Sequence, residues 1–176
     1  MKKLLATLLC LAPISAFAVP ISGSISIDGQ DSYTASKVNF AGKGNVGVGT
    51  ASGSFAPAFS AGCFGCVTLT SFNYVGFTSP VTVYSATIGG RTTTFQITSI
   101  VSEQQSGAFL DVEAKGFATL TGFDKTPGIY DFSTQGGINK SVTFSATTTA
   151  TPTPEPVSMA VLGAGLLGVG LFRRKA

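Results

Sequence analysis

The middle of this 176-residue chain reads as an all-β domain, an antiparallel β-sandwich or jelly-roll-like fold. Three observations carry that reading. Apolar and polar residues alternate over short runs, glycine-bearing turn signals recur about every ten residues, and no apolar stripe of helical period interrupts them. In order, Ile21, Ile25 and Ile27 alternate with Ser22, Ser24 and Ser26, the pattern of a half-buried strand. Further strands are expected around Val38 to Phe40, Val46 to Thr50, Val67 to Phe77, Val81 to Ile88 and Thr92 to Val101. The clearest follows: Ala108, Leu110, Val112, Ala114, Gly116, Ala118 and Leu120 form one face, with Asp111, Glu113, Lys115, Thr119 and Thr121 on the other. Ile129 to Ser133 and Val142 to Ala146 complete the set. Turns are expected at Asp28-Gly29, Gly89-Gly90, Ser106-Gly107, Pro127-Gly128 and Gly136-Gly137, and the glycine-rich Gly42 to Ala56 reads as a loop or weak edge hairpin. A domain over residues 19–149 is long enough to bury about two thirds of its unfolded surface.

Composition narrows the chemistry. The chain has no His, which excludes a Ser-His-Asp or Cys-His nucleophile and a His-bearing zinc site, and no cofactor or metal is expected. Its formal charge of +3 is concentrated at the ends, in Lys2, Lys3, Arg173, Arg174 and Lys175. Between Val19 and Pro154 there are six basic and seven acidic residues, a net of −1, so the chain has no electrostatic footprint for nucleic acid.

The two ends read as addresses. Residues 1–18, MKKLLATLLCLAPISAFA, place two lysines before a short apolar run and small residues at Ala16 and Ala18. This is the layout of a signal peptide, with signal peptidase cutting after Ala18. The run is too short to be a retained anchor, and Leu9 before Cys10 argues against a lipoprotein. At the other end, Val157 to Phe172 carries no charge and precedes a basic tail over 173–176. As a helix it would extend about 24 Å against a hydrocarbon core of ~30 Å, enough for marginal, transient insertion. Its basic end favours the cytoplasmic face, so the β domain is expected on the far side of the membrane.

Pro154-Glu155-Pro156, the short Gly- and Leu-rich helix and Arg173-Arg174-Lys175, in that order and behind a signal peptide, resemble the PEP-CTERM sorting signal of exosortase substrates. The resemblance covers only the carboxyl-terminal part of the chain, and Thr153 stands where an apolar residue often precedes the motif. It implies that exosortase, a separate membrane-embedded enzyme, recognises the segment around Glu155 and removes the tail. It also implies export through the inner membrane of a Gram-negative, exopolysaccharide-making bacterium, transient membrane anchoring, and a destination at the cell surface or in the extracellular matrix. On its own terms, a Pro-Glu-Pro segment is expected to be extended and exposed, because each proline removes an amide donor and biases its predecessor away from helix. The Thr- and Pro-rich stretch Ala146 to Pro154 reads as a semi-rigid spacer, with residues 150–156 as the linker proper.

Within the exported domain, Cys63 and Cys66 are the only cysteines left after signal removal, and the pair reads as a disulfide. A redox motif is disfavoured because no helix follows to lower a thiol pKa. Asp111 and Glu113, two apart on one strand, are the best candidates for glycoside hydrolysis, although alternation also places them on a solvated outer face with Lys115. Asp28 and Asp31 around Gly29 suggest a turn before a calcium site, and Asn139-Lys140-Ser141 matches a glycosylation sequon. Phe109 and Phe117 lie on the polar side of the long strand, where they could stack on sugar rings or pack against other protein. No catalytic constellation emerges. The favoured expectation is a non-enzymatic structural or binding component associated with exopolysaccharide, and the runner-up is an exported carboxylate-dependent polysaccharide hydrolase.

Overall fold

The structure, a computed structural model, describes residues 19–78, 80–136 and 142–151. The expected signal peptide, the sequon at Asn139, the Pro154-Glu155-Pro156 motif, the apolar helix over 157–172 and the basic tail lie outside the described residues. What is described is nearly all strand: β1 (Gly23–Tyr33), β2 (Lys37–Ala51), β3 (Cys63–Leu69), β4 (Phe72–Asn73), β5 (Val81–Ile88), β6 (Arg91–Gln105), β7 (Phe109–Leu120), β8 (Thr126–Gln135) and β9 (Val142–Ala150). A 3-10 turn (Gly53–Phe55) and the single-turn α1 (Ala56–Phe59) interrupt them between β2 and β3.

The all-β expectation holds, but the sheet is neither split into a sandwich nor wound as a jelly roll. Each long strand pairs antiparallel with its sequence neighbours, and β1 pairs with both β2 and β9, so eight strands close into a barrel with β4 added at one edge of β2. Alternation alone is the same in a sandwich and a barrel. What distinguishes them here is the ladder of Gly23–Asp31 against Val142–Ala150, which joins the first strand to the last.

The period of two sorts the wall. In β8, Thr126, Gly128, Tyr130, Phe132 and Thr134 point inward, and Pro127, Asp131, Ser133 and Gln135 face out. β7 buries Leu110, Val112, Ala114, Gly116, Ala118 and Leu120, the face its sequence proposes. The interior is filled rather than hollow. Phe40, Phe72, Phe132 and Phe144 meet ring to ring, Phe40 and Phe144 with centroids 4.8 Å apart, and Phe95 stacks on Tyr130 at 5.7 Å. Each buried Phe contributes on the order of 1.5–3 kcal/mol by leaving water, and favourable ring pairs add about 0.5–1.5 kcal/mol. An aromatic interior under a Ser-, Thr- and Asp-rich exterior is the reverse of a membrane-spanning barrel, which carries its apolar band outside.

Several glycines read as turns belong to strands. Asp28-Gly29 lies within β1 beside a register shift, and the Phe144 ring covers Gly29, where a Cβ would come within 2.8 Å of it. Pro127-Gly128 lies within β8, and Gly128 pairs with Gly116 of β7. A Cβ on Gly116 would meet the Gln96 carbonyl oxygen at 2.0 Å, and the Phe95 ring lies close to both glycines. The bare backbone there is what lets Phe95 reach the wall. Gly42 to Ala51, expected in a loop or weak edge hairpin, runs within β2. The Gly89-Gly90 and Ser106-Gly107 turns are where the sequence puts them. β9 takes up Ala146–Ala150, so the spacer read from Ala146 is shortened from the barrel side. Its threonines are β-branched, and alternation buries Thr148 while Thr147 and Thr149 stay partly exposed.

Candidate functional site: the carboxyl-terminal exit and the carboxylate face

Both ends of the barrel chain reach one rim. Gly23 pairs with Ala150, the Asp124 amide donates to the Val19 carbonyl at 3.2 Å, and the Ile21 amide donates to Thr126 Oγ1 at 2.8 Å. The last described residue, Thr151, donates its amide to the Pro127 carbonyl at 3.3 Å. Thr151 therefore lies at the edge of the β8–β9 ladder, on the rim that also holds the amino-terminal residues.

The tail continues into the residues that the sequence singled out, and a comparison with protein-family models matches it. The PEP-CTERM protein-sorting motif covers residues 152–175. This chain carries a PEP-CTERM sorting motif. The matched stretch contains Pro154, Glu155, Pro156, Arg173 and Arg174. A PEP-CTERM motif implies an exported protein of a Gram-negative cell, transiently anchored in the membrane and processed by exosortase. No curated protein and no solved structure matches the chain, so the barrel has to be read from its own geometry.

Above the PEP-CTERM exit, the outer wall carries a cluster that the sequence showed only in part. Asp111 and Glu113 project from β7, and Asp131, directly opposite Glu113 in the register, projects from β8. With Ser102, Gln104, Ser133, Ser145 and Thr147 they line a shallow groove of about 420 Å3. Partial burial, then the Glu113 and Asp111 charges, raise the pKa of Asp131 above the ordinary carboxylate value. The three carboxylates share the outward side of two neighbouring strands. Among the described residues no group of three or more His, Cys, Asp or Glu side chains is placed to hold a metal ion. Asp131 falls in an expected strand, but its meeting with Glu113 depends on the β7–β8 register, which no local pattern encodes.

Inside the wall Asp31 is fully buried. Thr134 donates its hydroxyl to Asp31 Oδ1 at 3.0 Å, and Oδ2 has no hydrogen-bond partner among the described residues. Burial, opposed by the Thr134 hydroxyl and the residue's own backbone amide, pushes the carboxyl up to about 6. Tyr33 nearby donates to the Gly136 carbonyl, and burial followed by the Asp31 charge raises its pKa. Asp28 is exposed on the opposite side of β1, so the two aspartates do not converge on a calcium site.

Cys63 and Cys66 are paired, their Cα atoms 5.9 Å apart at the start of β3. Gly65 between them takes φ +64°, a conformation an L side chain rarely adopts, and Phe64 is 92% exposed at the tip. The expected sugar-facing aromatics part company. Phe109 is exposed, whereas Phe117 lies under Lys125, whose Nζ is 4.6 Å from the ring centroid.

Proposed function

We propose that this protein, freed of its signal peptide by signal peptidase and of its tail by exosortase, serves at the cell surface or in the extracellular matrix as a non-enzymatic structural or binding component associated with exopolysaccharide. The observation that carries the reading is the PEP-CTERM match at 152–175, directly behind the closing strand of a barrel with a filled interior and a polar exterior. Such an interior leaves ligand contact to the outer wall and rims. Replacing Pro154-Glu155-Pro156 with Ala-Ala-Ala tests the sorting step. In a host with exosortase the variant should accumulate uncleaved in the membrane fraction, and normal processing would defeat the assignment.

A second reading is favoured by one feature. Three carboxylates share the β7–β8 groove, and Asp131 is biased toward its protonated form, as a general acid must be. An exported polysaccharide hydrolase would use Asp131 as the proton donor and Asp111 or Glu113 as the second carboxyl group of the pair. Incubating the purified, processed protein with its native exopolysaccharide separates the two. Release of reducing ends, lost in Asp131→Asn, selects the hydrolase, and their absence selects the structural or binding role.

A further inference from the structure

β2 and β3 carry surplus chain at one level of the wall. Ile25 pairs with Ala51 and Ile27 with Val46, which leaves the chain from Gly47 to Thr50 surplus on β2. Gly44 pairs with Val67 and Val46 with Cys63, which leaves Phe64, Gly65 and Cys66 surplus on β3. Bulges of this kind re-aim side chains. Val48 and Phe64 project from the two bulges, 78% and 92% exposed, the most exposed large apolar side chains among the described residues. Both bulges are tied down. Thr50 Oγ1 donates to the Gly47 carbonyl at 2.8 Å, and the Gly49 amide donates to the Ser60 carbonyl at 2.8 Å. The Cys63–Cys66 bond closes the base of the Phe64 loop, and the Gly65 amide donates to Asn45 Oδ1 at 2.9 Å.

Val48, Phe64, Asp28 and Asn45 line a groove of about 180 Å3 there. Asp28 and Asn45 are opposite one another in the β1–β2 register, so their side chains share the outer face. The same two residues line a second hollow of about 410 Å3 that includes Gln30 and Lys43. The bond from Gly65 orients the Asn45 amide and leaves its Nδ2 to donate. Neither that Nδ2 nor the Asp28 carboxyl has a hydrogen-bond partner among the described residues.

From this arrangement we infer that the two bulges and the β1–β2 wall form a carbohydrate-binding site, in which Phe64 stacks on a pyranose unit of a polysaccharide and Asp28 and Asn45 bond its hydroxyls. The inference rests on the exopolysaccharide reading above and gives that reading a site. A pyranose carries C–H bonds across its face and hydroxyls around its edge, and each hydroxyl both donates and accepts. The C–H face matches an exposed ring, and the hydroxyls match a carboxyl acceptor beside a free amide donor. The second hollow, joined through Asp28 and Asn45, gives the next units of a polymer a place over Gln30 and Lys43. Because the platform is held before contact, little ordering is lost on binding. Other occupants fit worse. A lipid surface is met by apolar side chains ringed with Lys and Arg, whereas Phe64 shares its groove with the acid Asp28. A specific protein interface buries about 800 Å2 on each side, more than two projecting side chains cover.

Native gels of the processed protein, cast with graded amounts of the native exopolysaccharide, test the site through the retardation of each variant. The wild type should be retarded, and Phe64→Ala should weaken binding about tenfold. Asn45→Asp keeps the acceptor for Gly65 but removes the donor, and should weaken binding about fivefold. Val101→Ala, which trims an exposed apolar side chain on β6, should bind as the wild type does, and all three variants should keep the wild-type circular dichroism. Phe64→Ala retarded as strongly as the wild type, or Val101→Ala weakened as far as Phe64→Ala, would overturn the site and leave the exopolysaccharide reading standing. A wild type that is not retarded at all would overturn the site together with the binding form of that reading. Sedimentation with phosphatidylglycerol vesicles, or a dimer in light scattering, that is lost in Phe64→Ala would also overturn it, since the face would then belong to lipid or to a second copy.

Discussion

Asp31→Asn should make the barrel more stable at neutral pH, although it removes a charge that accepts a hydrogen bond. Unfolded, the carboxyl ionises near its ordinary 3.8, and folded it ionises at about 6 because burial disfavours the anion. Between those values the folded state keeps a proton that the unfolded state has released. Stability therefore falls as pH rises from about 4 to about 6 and levels off above. The shift is worth roughly 3 kcal/mol at full ionisation, at ~1.4 kcal/mol per pH unit. An asparagine has the same shape, leaves an acceptor for Thr134 Oγ1, and places a neutral donor where Oδ2 has no hydrogen-bond partner. Urea unfolding of the processed protein at a series of pH values checks this. At about pH 7.5 the variant's midpoint should lie about 1–2 M above the wild type, and the two should converge near pH 4. Asp131 also has a raised pKa, so the wild-type curve contains its slope too, and the difference between the curves isolates Asp31. A variant less stable than wild type at pH 7.5, with an unchanged pH slope, would refute the reasoning.

Three further outcomes follow from the packing. Gly116→Ala puts a methyl 2.0 Å from the Gln96 carbonyl oxygen and 2.9 Å from the Phe95 ring, and should cost about 3 kcal/mol or more in urea unfolding, whereas Gly107→Ala, with nothing within 4 Å, should be near neutral. Thiol titration of the denatured, unreduced processed protein should find no free sulfhydryl, because Cys63 and Cys66 are paired. Closing so short a loop restrains little chain entropy, on the order of 2 kcal/mol, so replacing both with Ser should lower stability modestly and leave the far-ultraviolet circular dichroism intact.

The parts of this fold that were legible in the sequence are those set by a residue's own neighbours. β7 could be read because Leu110, Val112 and Ala114 alternate with Asp111, Glu113 and Lys115, and the structure buries the first set. β5 matches its expected span, and the paired glycines at 89 and 90 form the turn to β6. Dipeptides whose meaning depends on a distant partner could not be read. Asp28-Gly29 has turn chemistry, but Gly29 is small because the Phe144 ring covers it from a strand more than a hundred residues later. Pro127-Gly128 looks like a turn, yet Gly128 makes room for Phe95, and Pro127 accepts a bond from Thr151 through its carbonyl. The same limit hid the site. Asp111 and Glu113 share a strand and were visible, whereas Asp131 joins them only through register.

The closing strand also bounds the cut that the motif implies. β9 is bonded on both sides, to β1 through Gly23–Asp31 and to β8 through Gly128–Thr134, so it is the stave that turns an open sheet into a barrel. Loss of chain beyond Thr151 removes none of these pairs. A cut within Thr147–Ala150 would take away the end of the closing strand, with the buried Ala150, and expose the lower edges of β1 and β8. Open edges of that kind invite pairing with other chains. A processing enzyme that leaves a stable product must therefore act beyond Thr151, which agrees with a motif that begins at residue 152. Folding constrains the order of events in the same way. Residues 142–150 must cross the membrane before the barrel can close, and once it has closed the first and last strands are locked side by side at the rim from which the tail departs.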